Sequence, residues 1–308
     1  MRRSLTSLFL LALALVSSAC IVDARSADRA TGTFSRTLEV TGPVQLEIET
    51  GAGEISIRAV DSGPMRVEGR VSAGGRRFWN SEDGADRVRE IQKAPPIEQA
   101  GNDIHIGRWP RWNNVRISYL VTVPRDTSLR LRTGSGDVVI GDLKGPVAAQ
   151  LGSGNIRVGR VGGDVRVRTG SGDIELQEAL GAINVSTGSG DVLVQATGAS
   201  RAEVTTGSGD VEVEGAGGAL RVRTGSGEIL VTGTPTAPWD LGTGSGDVSI
   251  ETTDSAGFNA DIRSSSGDID ARAVVATDRN TRHEVRGTVR GGGPLVSAST
   301  GAGEVRVR

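Results

Sequence analysis

The chain has 308 residues, 45 of them glycine, only 3% aromatic, and its 35 Lys/Arg nearly balance its 37 Asp/Glu for a formal charge of −2. The basic residues are almost all arginine and interleave with acids instead of forming one run, so nothing in the sequence suggests a surface for nucleic acid. A single cysteine excludes an internal disulfide, and apolar rows this regular exclude glycine-rich disorder.

Residues 1–20 read as an export signal. Arg2 and Arg3 form a positive start, and Leu8 through Val16 an apolar stretch too short to span a bilayer. Ser17-Ser18-Ala19-Cys20 follows and resembles a bacterial lipoprotein signal, whose cysteine becomes the lipidated N-terminus. Ser17 stands where Leu or Val is usual, and Ser17-x-Ala19 also suits ordinary signal peptidase. The only cysteine lying at this boundary favours lipidation of Cys20 and attachment to a membrane through that lipid. No second apolar stretch is long enough to cross a bilayer. Residues 21–36 are small and polar, as expected of a tether, and one solenoid domain is expected over 37–308.

Strands are expected at Leu38–Val40, Val44–Ile48 and Ile55–Ile57, with a glycine turn at Thr50–Glu54. Met65–Val67 and Gly69–Val71 continue the alternation. The pattern then breaks over an insertion, residues 73–101. It contains Phe78, Trp79 and a short helix over Asp83–Lys93 that Pro95-Pro96 stops. Asn102–Ile106 reads as a degenerate return to the pattern. Trp109–Trp112 reads as a loop, and Ile117–Val123 as a strand ended by Pro124.

From here a short turn recurs about every eighteen residues. Its full form, Thr-Gly-Ser-Gly-Asp plus an apolar residue, stands at Thr133–Val138, Thr169–Ile174, Thr187–Val192, Thr206–Val211 and Thr243–Val248. Variants stand at Thr50–Ile55, Leu151–Ile156, Thr224–Ile229, Ser264–Ile269 and Thr300–Val305. The acidic position steps from Asp137 through Asn155, Asp173, Asp191, Asp210, Glu228 and Asp247 to Asp268. Glu304 lies two periods beyond Asp268, so a coil around Glu284–Gly287, without its turn, is expected between them.

One and three positions after the acid, the residues are apolar, as in Val192/Val194 and Val211/Val213. Six and eight positions before it they are apolar again, as in Leu131/Leu129, Val167/Val165 and Leu241/Trp239, with polar residues such as Arg130, Arg132, Arg166 and Arg168 between. Each coil is thus two short strands joined by a glycine corner. A coil this short cannot bury its apolar face alone, but stacking makes a continuous core. The fold class expected is all-β: a single-stranded β-solenoid, or parallel β-helix, with about eighteen residues per coil.

The repeating polar rows invite chemistry. In register, the acids form a ladder at about 4.8 Å, where like charges repel by about 1 kcal/mol in water, and calcium would relieve that. One carboxylate per coil supplies too few oxygens for six to eight calcium ligands, however. Asn155 keeps a turn but weakens a metal ladder, so each acid is expected to form an Asx-type turn, accepting backbone N–H groups of its own corner. The Ser row has no recurring histidine beside it, His105 and His283 being the only two. The Thr row has gaps at Leu151 and Ser264 and adjacent charges, which fits corner hydrogen bonding better than an ice-binding face. Phe78, Trp79, Trp109 and Trp112 form the one aromatic group off the stack, either a ligand patch or a cap that closes the first coil.

The Gly-Ser-Gly-Asp-Val turns, the lead-in Tyr119–Pro124, and the ending His283–Gly287 with Gly291-Gly292-Gly293-Pro294 resemble a bacterial β-strand-repeat, adhesin-like family of largely unknown function. The resemblance covers residues 37–308 and implies a right-handed β-helix exported to the cell envelope. The function expected is a binding, adhesion or scaffold surface without catalysis, cofactor or metal. A carbohydrate-active β-helix enzyme and a calcium-dependent roll are the alternatives. Envelope protein or polysaccharide is the expected partner class, with no nucleic acid. The oligomeric state is left open.

Overall fold

The computed structural model describes residues 29–74, 82–107, 114–253, 255–274 and 276–308. The chain opens with β1 (Arg29–Leu38), β2 (Val44–Ala52), β3 (Ile55–Val60) and β4 (Met65–Gly74). Helix α1 (Glu82–Lys93) follows, then β5 (Ile97–Ala100), β6 (Asp103–Ile106) and β7 (Val115–Pro124). Regular coils come next: β8 (Thr127–Ser135) with β9 (Val138–Ile140), β10 (Val147–Ser153) with β11 (Ile156–Val161), and β12 (Val165–Thr169) with β13 (Ile174–Ala179). They continue through β14 (Ile183–Ser189) with β15 (Val192–Gln195), β16 (Arg201–Ser208) with β17 (Val211–Ala216), β18 (Ala219–Ser226) with β19 (Ile229–Gly233), and β20 (Trp239–Ser245) with β21 (Val248–Thr252). The chain closes with β22 (Phe258–Ser266), β23 (Ile269–Asp270), β24 (Ala276–Asn280), β25 (Glu284–Val289), β26 (Leu295–Ala302) and β27 (Val305–Val307).

Among the described residues these strands form a fourteen-stranded and a thirteen-stranded sheet. The first strand of every coil joins the larger sheet, and the second joins the smaller. Pairing between coils is parallel and in register, as in Val165 against Val147 and Ile183, or Val192 against Ile174 and Val211, with one bulge between β17 and β19. One apolar residue per coil therefore lands on its equivalent in the next coil. Val192 and Val211 are 2% and 1% exposed, as their position in the repeat predicts. The β-branched residues that fill these rows suit a pleated, half-buried surface. Trp239 is the one large ring of its row. It is buried, and its indole N–H donates to the Gly218 carbonyl at 3.1 Å, so no polar atom is stranded.

Both ends depart from simple stacking in chain order. At the far end, β26 lies between β20 and β22, and β27 between β21 and β23. The coil expected around Glu284–Gly287 is therefore absent from the stack. Those residues belong to β25, which runs antiparallel along the outer edge of β22 and pairs with β24. The correction has a physical reason. Residues 295–308 keep the full repeat and can pair on both edges, whereas Glu284–Val289 has no glycine corner and fits only as an edge ribbon. At the near end the coil β6–β7 lies outside β2–β3, although it follows it in sequence.

The segment expected to be a tether also needs correction. Residues 29–36 belong to β1, paired antiparallel with β4 over ten residues. The inward side of β1 carries Ala30, Gly32 and Phe34, which give no apolar period. Phe34 instead lies over Gly69, where a Cβ would meet its ring at 2.1 Å. Tyr119 completes this row, its ring edge-on to Phe34 at 6.3 Å.

Helix α1 closes this end. Its Val88 and Ile91 are buried, and Val88 and Gln92 pack against Gly32 of β1. Gln92 donates to the Thr33 carbonyl at 2.9 Å. Of the insertion, helix α1 thus covers the end of the apolar core, and β5 adds an antiparallel edge strand to β6.

Candidate functional surface

The glycine corner is the most repeated local structure. Its second glycine takes φ of +130° at Gly172 and +138° at Gly190, a region open to few other residues. A Cβ on Gly172 would also lie 2.2 Å from the Gly154 carbonyl oxygen of the preceding coil. Stacked corners approach too closely for any side chain there. From Thr133 onward, the Thr that opens a corner is buried. Thr187 donates its hydroxyl to its own Ser189 carbonyl and to the Gly172 carbonyl of the preceding coil, both at 3.1 Å. Corner hydrogen bonding is therefore the role of the Thr row, and burial removes it from any outer face.

The acidic row sits outside that corner. Asp173 accepts the Asp191 N–H through Oδ1 at 3.0 Å, and Asp191 accepts the Asp210 N–H at 2.9 Å. Asn155 takes the same role toward the Asp173 N–H at 2.8 Å. The expected Asx-type turn is therefore corrected: the acids do accept corner N–H groups, but the donor belongs to the next coil, not to the acid's own turn. Each bond therefore ties two coils together. At the far end Asp247 accepts the Glu304 N–H at 2.8 Å, which follows the spatial order of coils and not the chain order.

A second ladder runs along the opposite loops. Asp142 accepts the Arg160 N–H at 3.0 Å and the Arg160 guanidinium at 2.8 Å, while Asp164 accepts the Ala182 N–H at 2.9 Å. The hydrogen bond from the Arg160 side chain holds the Asp142 carboxyl below its usual range, helped by the Arg160 N–H. Arg125, Lys144, Leu143 and Leu180 line a shallow hollow around this pair.

The acidic corner borders the smaller sheet, whose outer positions there mix signs: Arg157 pairs with Glu175 at 2.9 Å, and Glu212 lies nearby. The larger sheet presents Arg130, Arg132, Arg166, Arg168, Arg221 and Arg223 outward. These arginines alternate with inward apolar residues along each strand, and registered pairing gathers them onto one face.

The proposed lipidation site, Cys20, and the aromatic group Phe78, Trp79, Trp109 and Trp112 all lie outside the described residues. The two histidines stand far apart in the strand order: His105 is in β6 and His283 immediately precedes β25, near opposite ends of the larger sheet. Neither joins the central Ser row. His105 Nδ1 is buried and lies 3.1 Å from Glu47 Oε2. Among the described residues, no three His, Cys, Asp or Glu side chains converge to hold a metal ion. No helix there is long and apolar enough to cross a membrane. The outward arginines were visible in the sequence only as polar positions between apolar ones, and their gathering on one face is what the sequence reading missed.

Residues 102–308 match the family model described as Toastrack DUF4097. Among solved structures, the chain is similar to a "putative adhesin" from Bacteroides fragilis, at 14% identity and a TM-score of 0.44, covering 90% of this chain and 97% of that one. It is also similar to a "putative cell adhesion protein" from Clostridium sporogenes, at 13% identity and a TM-score of 0.22, covering 90% and 99%. No curated protein matches the chain.

Proposed function

The chain belongs to the Toastrack DUF4097 family, and from that premise we propose that it is a non-catalytic binding or scaffold surface held at the bacterial cell envelope. The observation that carries this reading is the continuous outer face of the fourteen-stranded sheet. Its strands are in register, and the corners beside it are cross-linked by Thr and Asp side chains. Such a face presents fixed polar groups at a fixed interval without needing to move, which suits binding an extended partner. The leader, with Arg2, Arg3, the apolar stretch Leu8–Val16 and Cys20, supports export and anchoring through a lipid on Cys20.

Two measurements test the two halves. Folded protein lacking its leader should sediment with envelopes isolated from the host, and heat-unfolded protein should not. Retention in the supernatant, or release of reducing ends from envelope polysaccharide, overturns the non-catalytic binding role. In the intact chain, labelled fatty acid should enter the wild type and not Cys20→Ala, which should move to the soluble fraction. A wild type that never takes up label overturns the anchor.

A further inference from the structure

The outer face of the larger sheet holds an arginine array that acids match only along its β2 border. Across β8, β10 and β12 the registered rows read Arg130–Ala148–Arg166 and Arg132–Gln150–Arg168. Strand geometry sets these arginines about 9.6 Å apart across the sheet and about 6.8 Å apart along each strand. All four are exposed. At the β2 border Glu47 and Glu49 stand in register with Arg130 and Arg132, and Arg132 meets Glu49 at 3.0 Å; beyond the array Arg221 and Arg223 share Asp240 at 3.4 and 2.5 Å. Arg166 and Arg168 have neither an acid beside them in register nor an ion pair among the described residues, and Arg130 forms no ion pair there. Like charges held at fixed positions repel one another, and an anion spanning them lowers that energy.

We infer that this face binds an acidic polysaccharide, with the polymer's carboxylates on Arg130, Arg166 and Arg168. The inference rests on the binding-surface reading above and gives it a ligand class. Guanidinium forks match carboxylates in geometry as well as charge. An extended sugar polymer offers acid groups at a regular interval, as these strands offer arginines. Gln150 within the array, and Asn184 and Ser186 on the adjoining strand β14, supply neutral hydrogen-bond partners for sugar hydroxyls. Other polyanions fit less well. The array has no aromatic side chain on which bases could stack and no projecting helix or ribbon to enter a groove. It has no large apolar side chain to insert into a lipid surface.

Polygalacturonate is the probe, with neutral dextran, a DNA duplex and phosphatidylglycerol vesicles as further arms, using protein without its leader at low salt. The wild type should bind polygalacturonate and not dextran, and binding should weaken as salt rises. Arg166→Glu/Arg168→Glu should keep the wild-type melting temperature and bind roughly tenfold more weakly, a change of about 1.4 kcal/mol. Arg166→Lys/Arg168→Lys should retain part of the binding. No binding to polygalacturonate, equal binding by the Glu variant, tighter binding to the duplex or vesicles, or salt-sensitive self-association in place of glycan binding each overturns the inference. The envelope assay separates the two levels. If the wild type and the Glu variant sediment with envelopes equally, this array is wrong and the binding-surface reading stands. If the wild type fails to sediment, that broader reading fails.

Discussion

Asp173 shows how one side chain does the work of a joint. Its Oδ1 accepts the Asp191 N–H, and Asn155 performs the same service one coil earlier. The bond needs an acceptor and not a charge. Asp173→Asn should therefore melt within a degree or so of the wild type, whereas Asp173→Ala should lose about 1 kcal/mol, roughly 2–4 °C for a chain of this size. Equal losses in both variants would mean that charge, not the acceptor, matters there. Asp142 is the opposite case, since the Arg160 guanidinium holds its pKa below the ordinary 3.8. A carboxyl depressed in the folded state stabilises above its unfolded pKa, and that contribution disappears as pH falls through the folded value. The melting difference between wild type and Asp142→Asn should be full near neutrality and shrink only below about pH 4. A difference that is constant down to pH 2 would contradict the Arg160 linkage.

At the scale of strands and coils, alternation decides which residues are inside, and stacking decides what they touch. Val211 lies between Val192 and Ile229 in the smaller sheet and is 1% exposed. Val211→Asp buries a charge without a partner and should destabilise the domain by about 3–5 kcal/mol. An unchanged melting temperature would be incompatible with this register. The last coil gives a second test. A chain terminus at the end of a solenoid is expected to fray, but β26 and β27 are hydrogen-bonded on both edges by β20, β22, β21 and β23. Amides of Val296, Ala298 and Thr300 should exchange as slowly as those of the central coils. Exchange as fast as that of the edge strand β24 would show that the terminal coil is not inserted.

For the whole molecule, the interlocked ends and the aligned corners make one continuous body, with an acidic corner row along one edge and the arginine array on the larger sheet. The acidic edge invites a metal reading, yet the Oδ1 atoms of Asp173, Asp191 and Asp247 are committed to backbone N–H groups. Millimolar calcium should leave the melting temperature unchanged. A site filled at about 100 times its Kd would add about 2.7 kcal/mol, which a thermal melt detects, and a shift of that size would restore the calcium-roll alternative.

Sequence by itself determined the period, the two-strand coil, the glycine corner and the inward rows, because each depends on interactions repeated identically along the chain. It also placed helix α1 within one residue of its observed start, at Asp83 against Glu82, since Pro95-Pro96 and the loss of alternation mark it locally. It missed β1, whose inward Ala30, Gly32 and Phe34 give no regular apolar period and whose order comes from β4 and α1. It missed the insertion of residues 295–308 between earlier coils, because identical repeats can pair with one another in any order. Only the tertiary structure chose that order, through the single edge that β25 can cover. The arginine array has the same origin: Arg130 and Arg166 are thirty-six residues apart in the chain, and only registered stacking sets them two strands apart on one exposed face.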